Sequence, residues 1–395
     1  MDSTVQNRVI APTRPDTVSG QLAARGVTRR SLFKYAAGIT ALLALPEVYA
    51  PRVAEAVAAV DKPVVLWLAF QDCAGDTESF LRAANPGVAD LILDLISVDY
   101  HETLMSPAGA AAEQSLADSI AQGGYLLVVE GSVPTADGGI HCTVGGDTAR
   151  NHLSKAAKGA AAVIAVGTCS AYGGLPAASP NPTGAVGIGG LVGGKPVLNL
   201  PGCPVNVDNL TATIAHYLTF KALPARDDLG RPLFAYGDLI HDNCPRRGHF
   251  DSGEFALAFG DEGHRKGYCL YKLGCKGPAT MSNCPRQMWN GGTSWPIGAG
   301  APCVGCTEPE FWDRMTPIYR RLPRVPGFGV RHTAEQIGMA AAGAMVAGAV
   351  VHGVVKGGQH FANRKLDAAT NPDRATAGPV APAGRPSAST SEVTK

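Results

Sequence analysis

The chain has 395 residues, almost no net charge and few charged side chains. It contains 34 Lys and Arg against 33 Asp and Glu, a formal net charge of +1, and charged residues make up 17% of it. A nucleic-acid-binding protein would need a basic face or stripe, so the charge balance argues against that class. The composition also excludes a collagen, a coiled coil, a polytopic membrane protein and a wholly disordered chain.

Cysteine is too sparse for a small scaffold that is held together by disulfides, since only ten occur in the whole chain. Ten is nevertheless too many to be incidental. Gly (48) and Pro (29) together make about a fifth of the residues, which predicts many tight turns and a loop-rich stretch. The length allows one large domain or two modest ones, each with its own core.

The beginning of the chain resembles an export signal. Paired arginines in Thr28–Lys34 precede the short, weakly apolar run Tyr35–Leu45. This pattern is typical of a twin-arginine leader, which routes folded, cofactor-loaded proteins out of the cytoplasm. We therefore expect residues 1–56 to be a signal segment that is cleaved after Ala50 or Ala56. A basic amphipathic helix is the alternative.

A second apolar run, Ile337–Val355, lies near the other end and contains no charged residue. Its length just spans a bilayer core, and its small residues suit close helix contacts. We expect a transmembrane anchor at 336–356, with the folded body on the outer face of the membrane and a disordered tail over 357–395. A buried Ala-rich helix in a soluble core is the alternative.

Residues 61–225 alternate short, continuous apolar runs with longer helical segments such as Ala110–Ala121 and Thr148–Lys158. Runs this continuous predict buried parallel strands rather than half-exposed antiparallel ones. The predicted strands are Val64–Phe70, Leu91–Val98, Tyr125–Val129, Ala161–Val166 and Pro196–Leu200. The pattern predicts a doubly wound α/β sheet.

Three of these strands run into Gly-rich loops that contain Cys73, Cys169 and Cys203. Because parallel strands end on one edge of a sheet, we expect the three thiols to converge. Together with the neighbouring Asp76 they form a candidate four-ligand site for an iron–sulfur cluster. Such loops could instead hold a nucleotide phosphate or a flavin, but no dinucleotide-binding or Walker signature occurs at these turns.

The strand pattern stops after about residue 230, and seven candidate ligands follow within residues 226–330. They are His241, Cys244, Cys269, Cys275, Cys284, Cys303 and Cys306. Disulfides would give no reason for a His-x-x-Cys motif, and one zinc site would leave three cysteines unused. Two iron–sulfur clusters would use all seven, and the spacing favours that interpretation.

In this order, the motifs resemble those of the small, electron-transferring subunit of membrane-bound uptake nickel–iron hydrogenases. The resemblance covers roughly residues 1–356. Its motifs are C-x-G-x-T-E-S at 73–79, GTCSAYGG at 167–174, PGCP at 201–204, His241-x-x-Cys244, NCP at 283–285, Trp295-Pro296 and PCVGCTEP at 302–309. The resemblance implies a flavodoxin-like domain, an irregular iron–sulfur domain and three clusters in a line.

The resemblance also assigns the ligands. A proximal 4Fe–4S cluster would use Cys73, Asp76, Cys169 and Cys203. A medial 3Fe–4S cluster would use Cys284, Cys303 and Cys306, with Pro296 in the space of a fourth ligand. A distal 4Fe–4S cluster would use His241, Cys244, Cys269 and Cys275.

The implied partners are a large subunit that bears the nickel–iron site, a membrane redox partner such as a b-type cytochrome or a quinone-linked protein, and further copies of the heterodimer. The alternatives are an iron–sulfur redox subunit of another complex, or an exported interaction protein that is stabilised by zinc or disulfides.

One position departs from the family pattern, because the first loop usually reads C-x-x-C and here carries Asp76 in the second place. A carboxylate can ligate iron, as a harder and less electron-donating ligand than a thiolate. The resemblance suggests a subgroup with a three-Cys, one-Asp proximal cluster, which is associated with oxygen tolerance. Alternatively, Asp76 is not a ligand, and water or another residue completes the site.

Overall fold

The computed structural model describes residues 29–59, 62–84, 87–88, 96–322 and 333–370. Its central sheet has five parallel strands, and a separate short antiparallel hairpin is formed by β4 and β5. In chain order the strands are β1 Val64–Ala69, β2 Ser97–His101, β3 Leu126–Glu130, β4 Thr143–Val144, β5 Asp147–Thr148, β6 Ala162–Val166 and β7 Val197–Leu200. The order across the sheet is β2-β1-β3-β6-β7, which is the flavodoxin-like arrangement of a doubly wound fold.

Among the described residues, seven α-helices accompany this sheet. They are α1 Arg29–Leu42, α2 Ala50–Ala59, α3 Gly75–Leu81, α4 Ala110–Gln122, α5 Ala149–Gly159, α6 Gly167–Tyr172 and α7 Val207–Phe220. The predicted crossover helices match α4 and α5. Two of the helices begin with a side-chain N-cap. Thr148 and Asn206 accept backbone N–H groups at the first turns of α5 and α7.

The central strands are apolar on both faces because both faces are covered. Every residue of β3 and β6 is buried. Val128 and Ile164 pack into the cluster on one face, whereas Leu127 and Val163 pack into the cluster on the other. Strands buried in this way read as unbroken apolar runs, which is why the sequence reveals them.

The edge strand β2 lies further along the chain than predicted. Its pairing with β1 begins at Ser97 opposite Val64 and extends to His101 opposite Trp67, whereas the predicted strand covered residues 91–98. Residues 91–95 are outside the described part of the chain. The prediction followed the apolar run, but an edge strand has a more polar sequence, here with Asp99 and His101, that hydropathy does not mark.

The helices α1 and α2 pack against α7 and cover part of one face of the central sheet. Ile39, Leu43 and Val53 are buried in the same apolar cluster as Leu210 of α7. Residues 29–59 are therefore packed against the domain that is built on the central sheet, which we call the sheet domain. Residues 1–28 lie outside the described chain, and the assignment of 1–56 as an export signal stays a prediction.

The region from residue 231 to 322 contains short helices and turns and, among its described residues, no strand of the central sheet. Its helices are α8 Leu233–Tyr236, α9 Arg247–Asp251, α10 Glu262–Arg265, α11 Cys284–Gln287 and α12 Phe311–Arg314, with 3₁₀ turns at Ile240–Asn243, Leu270–Leu273 and Gly277–Ala279. Its apolar core has eight buried residues, of which two, Cys284 and Cys303, are cysteines. We call residues 231–322 the cysteine-rich region.

The chain then forms a single long helix, α13, over Thr333–Thr370. Within the described residues, no helix combines the length and the apolarity that crossing a bilayer requires. The predicted anchor at 336–356 is therefore not supported. The run is long enough, but its Ala and Gly residues contribute little hydrophobicity each.

The same helix corrects the predicted start of the disordered tail. Residues 357–370 are helical, and residues 371–395 lie outside the described chain. This stretch includes the helix formers Ala362, Arg364, Lys365 and Leu366, whereas prolines begin at Pro372.

Candidate metal centres

Three thiols meet at the carboxyl edge of the sheet, as the order of the strands predicts. Cys73 lies in the turn after β1, Cys169 in α6 directly after β6, and Cys203 in the turn after β7. Burial raises the pKa of Cys169 to about 12 and that of Cys203 to about 11, and the neighbouring Cys73 and Asp76 act in the same direction. The structure therefore brings the four side chains of the predicted proximal set together.

Asp76 is buried in this set and held by the backbone. Its Oδ1 accepts the N–H of Val205 at 2.5 Å. Gly167, at a φ of +78°, lies so close to the carboxylate that a Cβ at this position would collide with it. Burial raises the pKa of Asp76 to about 8, and the charge of Glu130 acts in the same direction. A carboxylate ligates a metal in its ionised form.

The completely buried Glu130, at the end of β3, fixes the turn that carries Asp76. Its Oε1 accepts the backbone N–H groups of Asp76 at 3.0 Å and Thr77 at 3.1 Å. Its Oε2 accepts the Thr77 hydroxyl at 2.5 Å and the Trp67 indole N–H at 3.1 Å. The sequence analysis gave this residue no role, although a Glu that ends a wholly apolar strand is itself a signal.

The predicted medial set surrounds a cavity of about 710 Å³. Cys284, Cys303 and Cys306 line it together with apolar residues, and Pro296 lines it as well. The hydroxyl of Ser282 lies 3.0 Å from the sulfur of Cys284. Three thiols around an apolar cavity are a donor set that fits a cysteine-ligated iron–sulfur cluster.

The predicted distal set also lies together, around a cavity of only about 10 Å³ that His241, Cys244, Cys269 and Cys275 all line. Burial raises the pKa of Cys269 to about 12, and Cys275 and Cys244 act in the same direction. Burial lowers the pKa of His241, and neutral imidazole is the form that binds metals.

Burial raises the pKa of these thiols, and nearby backbone N–H groups partly offset that rise at six of them. This arrangement favours thiolates, and hydrogen bonds of this kind tune iron–sulfur clusters. The N–H groups, each followed by the thiol whose pKa it opposes, are Leu175 for Cys169, Arg246 for Cys244, Tyr271 for Cys269, Gly277 for Cys275, Gly305 for Cys303, and Cys203 for Cys306. The N–H of Gly277 lies at hydrogen-bond distance, 3.5 Å from the sulfur of Cys275.

All ten cysteines carry free thiols, so the disulfide alternative is not what the structure shows. Among the described residues, no three His, Cys, Asp or Glu side chains form a group that could hold a single metal ion. Cys142 stands outside the three sets and packs beside the apolar core, as a structural thiol would.

Neighbouring sets are joined by hydrogen bonds. The hydroxyl of Thr168, which directly precedes Cys169 of the proximal set, donates to the carbonyl of Cys306. The N–H of Lys276 donates to the carbonyl of Cys303 at 2.8 Å. Sequence reasoning missed Thr168 and Lys276, because their neighbours along the chain give no hint of these contacts.

Known proteins match this chain over most of its length. The family model for the C-terminal part of the NiFe/NiFeSe hydrogenase small subunit matches residues 236–319, and the model described as NADH ubiquinone oxidoreductase, 20 Kd subunit, matches residues 73–217. The quinone-reactive Ni/Fe-hydrogenase small chain of Wolinella succinogenes is 44% identical over 344 residues, which cover 85% of this chain and 97% of that one.

Two further relatives agree with this match. The uptake hydrogenase small subunit of Azotobacter vinelandii is 44% identical over 354 residues, which cover 89% of this chain and 99% of that one. The solved structure of a reduced, active Ni-Fe-Se hydrogenase from Desulfomicrobium baculatum is 36% identical, with a TM-score of 0.62, and covers 66% of this chain and 99% of that chain.

Fold, thiol sets and relatives together define an iron–sulfur electron-transfer protein. The chain belongs to the family of nickel–iron hydrogenase small subunits. It is the electron-transfer subunit of the hydrogenase heterodimer, and the prediction made from the order of the motifs is confirmed.

Proposed function

We propose that the chain carries electrons from H₂ oxidation in the large subunit through proximal, medial and distal clusters to a membrane-linked electron acceptor. The observation that carries this proposal is that hydrogen bonds join each set of candidate ligands to the next. Thr168, which directly precedes Cys169 of the proximal set, donates its hydroxyl to the carbonyl of Cys306 of the medial set. Cys303 of the medial set accepts the N–H of Lys276, which directly follows Cys275 of the distal set.

The proposed composition is two 4Fe–4S clusters and one 3Fe–4S cluster. Such clusters supply one-electron redox chemistry when bound, and the chain holds them, hydrogen-bonds their sulfur ligands and excludes water. Cys73, Asp76, Cys169 and Cys203 would hold the proximal cluster, Cys284, Cys303 and Cys306 the medial cluster, and His241, Cys244, Cys269 and Cys275 the distal cluster.

The solvent exposure of the cysteines supports an assignment of each partner to one end of the three sets. Cys73 and Cys203 are exposed at the carboxyl edge of the sheet, whereas Cys269, Cys284 and Cys303 are buried. We therefore place the nickel–iron large subunit against the proximal set and the electron acceptor at the distal end. The name of the quinone-reactive relative supports a quinone-linked acceptor, for which a b-type cytochrome is one candidate.

The proposed location is outside the cytoplasm. The twin-arginine motif and the relatives that are named periplasmic support export. Assembly of several heterodimers into a larger oligomer stays a prediction.

Metal analysis and electron paramagnetic resonance of the anaerobically purified heterodimer test the cluster assignment. We expect roughly eleven irons in this chain, matching acid-labile sulfide, and a three-iron signal in the oxidised sample. Cys284→Ser should abolish that signal, and Cys142→Ser, which removes a thiol outside the sets, should leave it intact. Zinc in place of iron and sulfide would refute the proposal.

Asp76→Cys tests the carboxylate as a ligand. Thiolate donates more electron density than carboxylate, so the variant should keep a four-iron proximal cluster at a lower reduction potential and with an altered response to oxygen. Potentiometric titration and activity after exposure to air measure both effects. An unchanged potential together with unchanged air sensitivity would remove Asp76 from the ligand set.

A further inference from the structure

A lysine is buried between the candidate ligands of the medial cluster and those of the distal cluster. Lys276 is 1% exposed and directly follows Cys275 of the distal set. Its backbone N–H donates to the carbonyl of Cys303 in the medial set at 2.8 Å. One covalent link and one hydrogen bond therefore connect this residue to a predicted ligand of each set.

The ammonium group of Lys276 has no carboxylate partner. It donates to the carbonyl oxygens of Arg320 and Pro317, and no Asp or Glu in the described chain lies within ion-pair distance of it. Fully buried lysines are rare unless they are paired. Arg231, a second deeply buried cation among the described residues, follows that rule, since it forms salt bridges with Asp227 at 2.7 Å and Glu308 at 3.1 Å.

The acidic groups that do face Lys276 are thiols. Burial lowers the pKa of Lys276, and the thiols of Cys275 and Cys303 act in the opposite direction. The loop at Gly305 packs against Lys276, because a Cβ on Gly305 would lie in van der Waals contact with the Cβ of Lys276, at 3.4 Å. The counter-charges available to this ammonium are therefore the sulfur ligands of two different sets.

We propose that Lys276 sets the reduction potentials of the medial and distal clusters together, through one buried positive charge that lies between them. This inference rests on the proposed cluster assignment. Reduction adds negative charge to a cluster, and a nearby cation in a medium of low dielectric constant stabilises the reduced form. The charge thus raises both potentials, and the shared contact keeps the two potentials coupled.

The test is Lys276→Gln in the heterodimer, with redox titration followed by electron paramagnetic resonance. Glutamine keeps an N–H donor for the carbonyl groups and removes the charge. We expect both midpoint potentials to fall, each by about tenfold in the one-electron equilibrium constant, or about 59 mV. The proximal cluster serves as an internal control and should shift less.

Two further variants separate charge from structure. Lys276→Arg keeps the charge and should restore both potentials to near the wild-type values. Lys272→Gln removes the same charge from an exposed position in the same region, and solvent screening should leave the potentials nearly unchanged.

Native medial and distal potentials in a fully iron-loaded Lys276→Gln protein would overturn the inference. Loss of iron in both the Gln and the Arg variants would also overturn it, because Lys276 would then serve folding alone. Failure of the proposed function would instead be visible in the wild-type protein, as the absence of the three-iron signal.

Discussion

The sheet domain and the cysteine-rich region are stabilised in different ways. In the sheet domain, strands such as β3 and β6 are buried throughout between two large apolar clusters. In the cysteine-rich region, the core has only eight buried residues, and it includes the predicted medial ligands Cys284 and Cys303. We therefore expect the first region to be stable through its own apolar burial, and the second to depend on the clusters proposed for its thiols.

Specific polar contacts join the two regions. The hydroxyl of Thr168, in α6, donates to the carbonyl of Cys306. The amide side chains of Asn209 in α7 and Asn283 exchange hydrogen bonds at 2.8 and 3.2 Å. The difference in stabilisation can therefore be tested region by region.

The largest expected effect follows removal of iron. Metal-binding energy that folds a site is on the order of 10 kcal/mol, so the cysteine-rich region should lose its structure in iron-free protein. Hydrogen exchange should become fast over residues 238–310, while the amides of β3 and β6 stay protected. Equal loss of protection in both regions would contradict the comparison, because it would mean that the sheet domain also needs the metal.

The next effect concerns a buried ion pair inside the cysteine-rich region. Glu308→Gln removes a buried charge that pairs with Arg231 and also accepts the N–H of Met281 at 2.7 Å. Breaking one side of a buried ion pair should lower the free energy of unfolding by about 3 kcal/mol. Calorimetry of the heterodimer measures this loss, and Glu310→Gln, at an exposed position two residues away, is the matched control. A similar loss in both variants would show that the buried ion pair does not contribute specifically to the free energy of unfolding.

The smallest effect is a pH dependence confined to the sheet domain. Burial lowers the pKa of His101 from 6.5 to about 4, and its ring stacks on Trp67. Between these values the unfolded chain binds a proton that the folded chain does not. Stability is therefore complete above pH 6.5 and falls as the pH drops towards 4, by roughly 2 to 3 kcal/mol.

Unfolding at pH 7 and pH 4.5, compared between the wild type and His101→Asn, measures this contribution. The variant should show a smaller loss of stability at the lower pH. An identical pH dependence in the two proteins would show that His101 titrates as it does in water.

Much of the fold and of the donor sets was predictable from residues that are close together in the chain. Continuous apolar runs mark β1, β3, β6 and β7, and a cysteine follows three of these strands. The misplaced strand β2 shows the limit, because an edge strand with Asp99 and His101 has no apolar signature. The predicted anchor failed for a related reason, since a run of Ala and Gly has the length of a span without its hydrophobicity.

The sequence by itself determined the parallel sheet, the edge at which Cys73, Cys169 and Cys203 meet, and the family of the protein. Only the tertiary structure decided which groups surround each set. Glu130 reaches the Asp76 backbone across 54 positions of the chain, and Thr168 reaches Cys306 across 138. Lys276 acquires its place between two sets in the same way. Strand patterns arise from local periodicity, whereas these contacts depend on which distant loops the fold brings together.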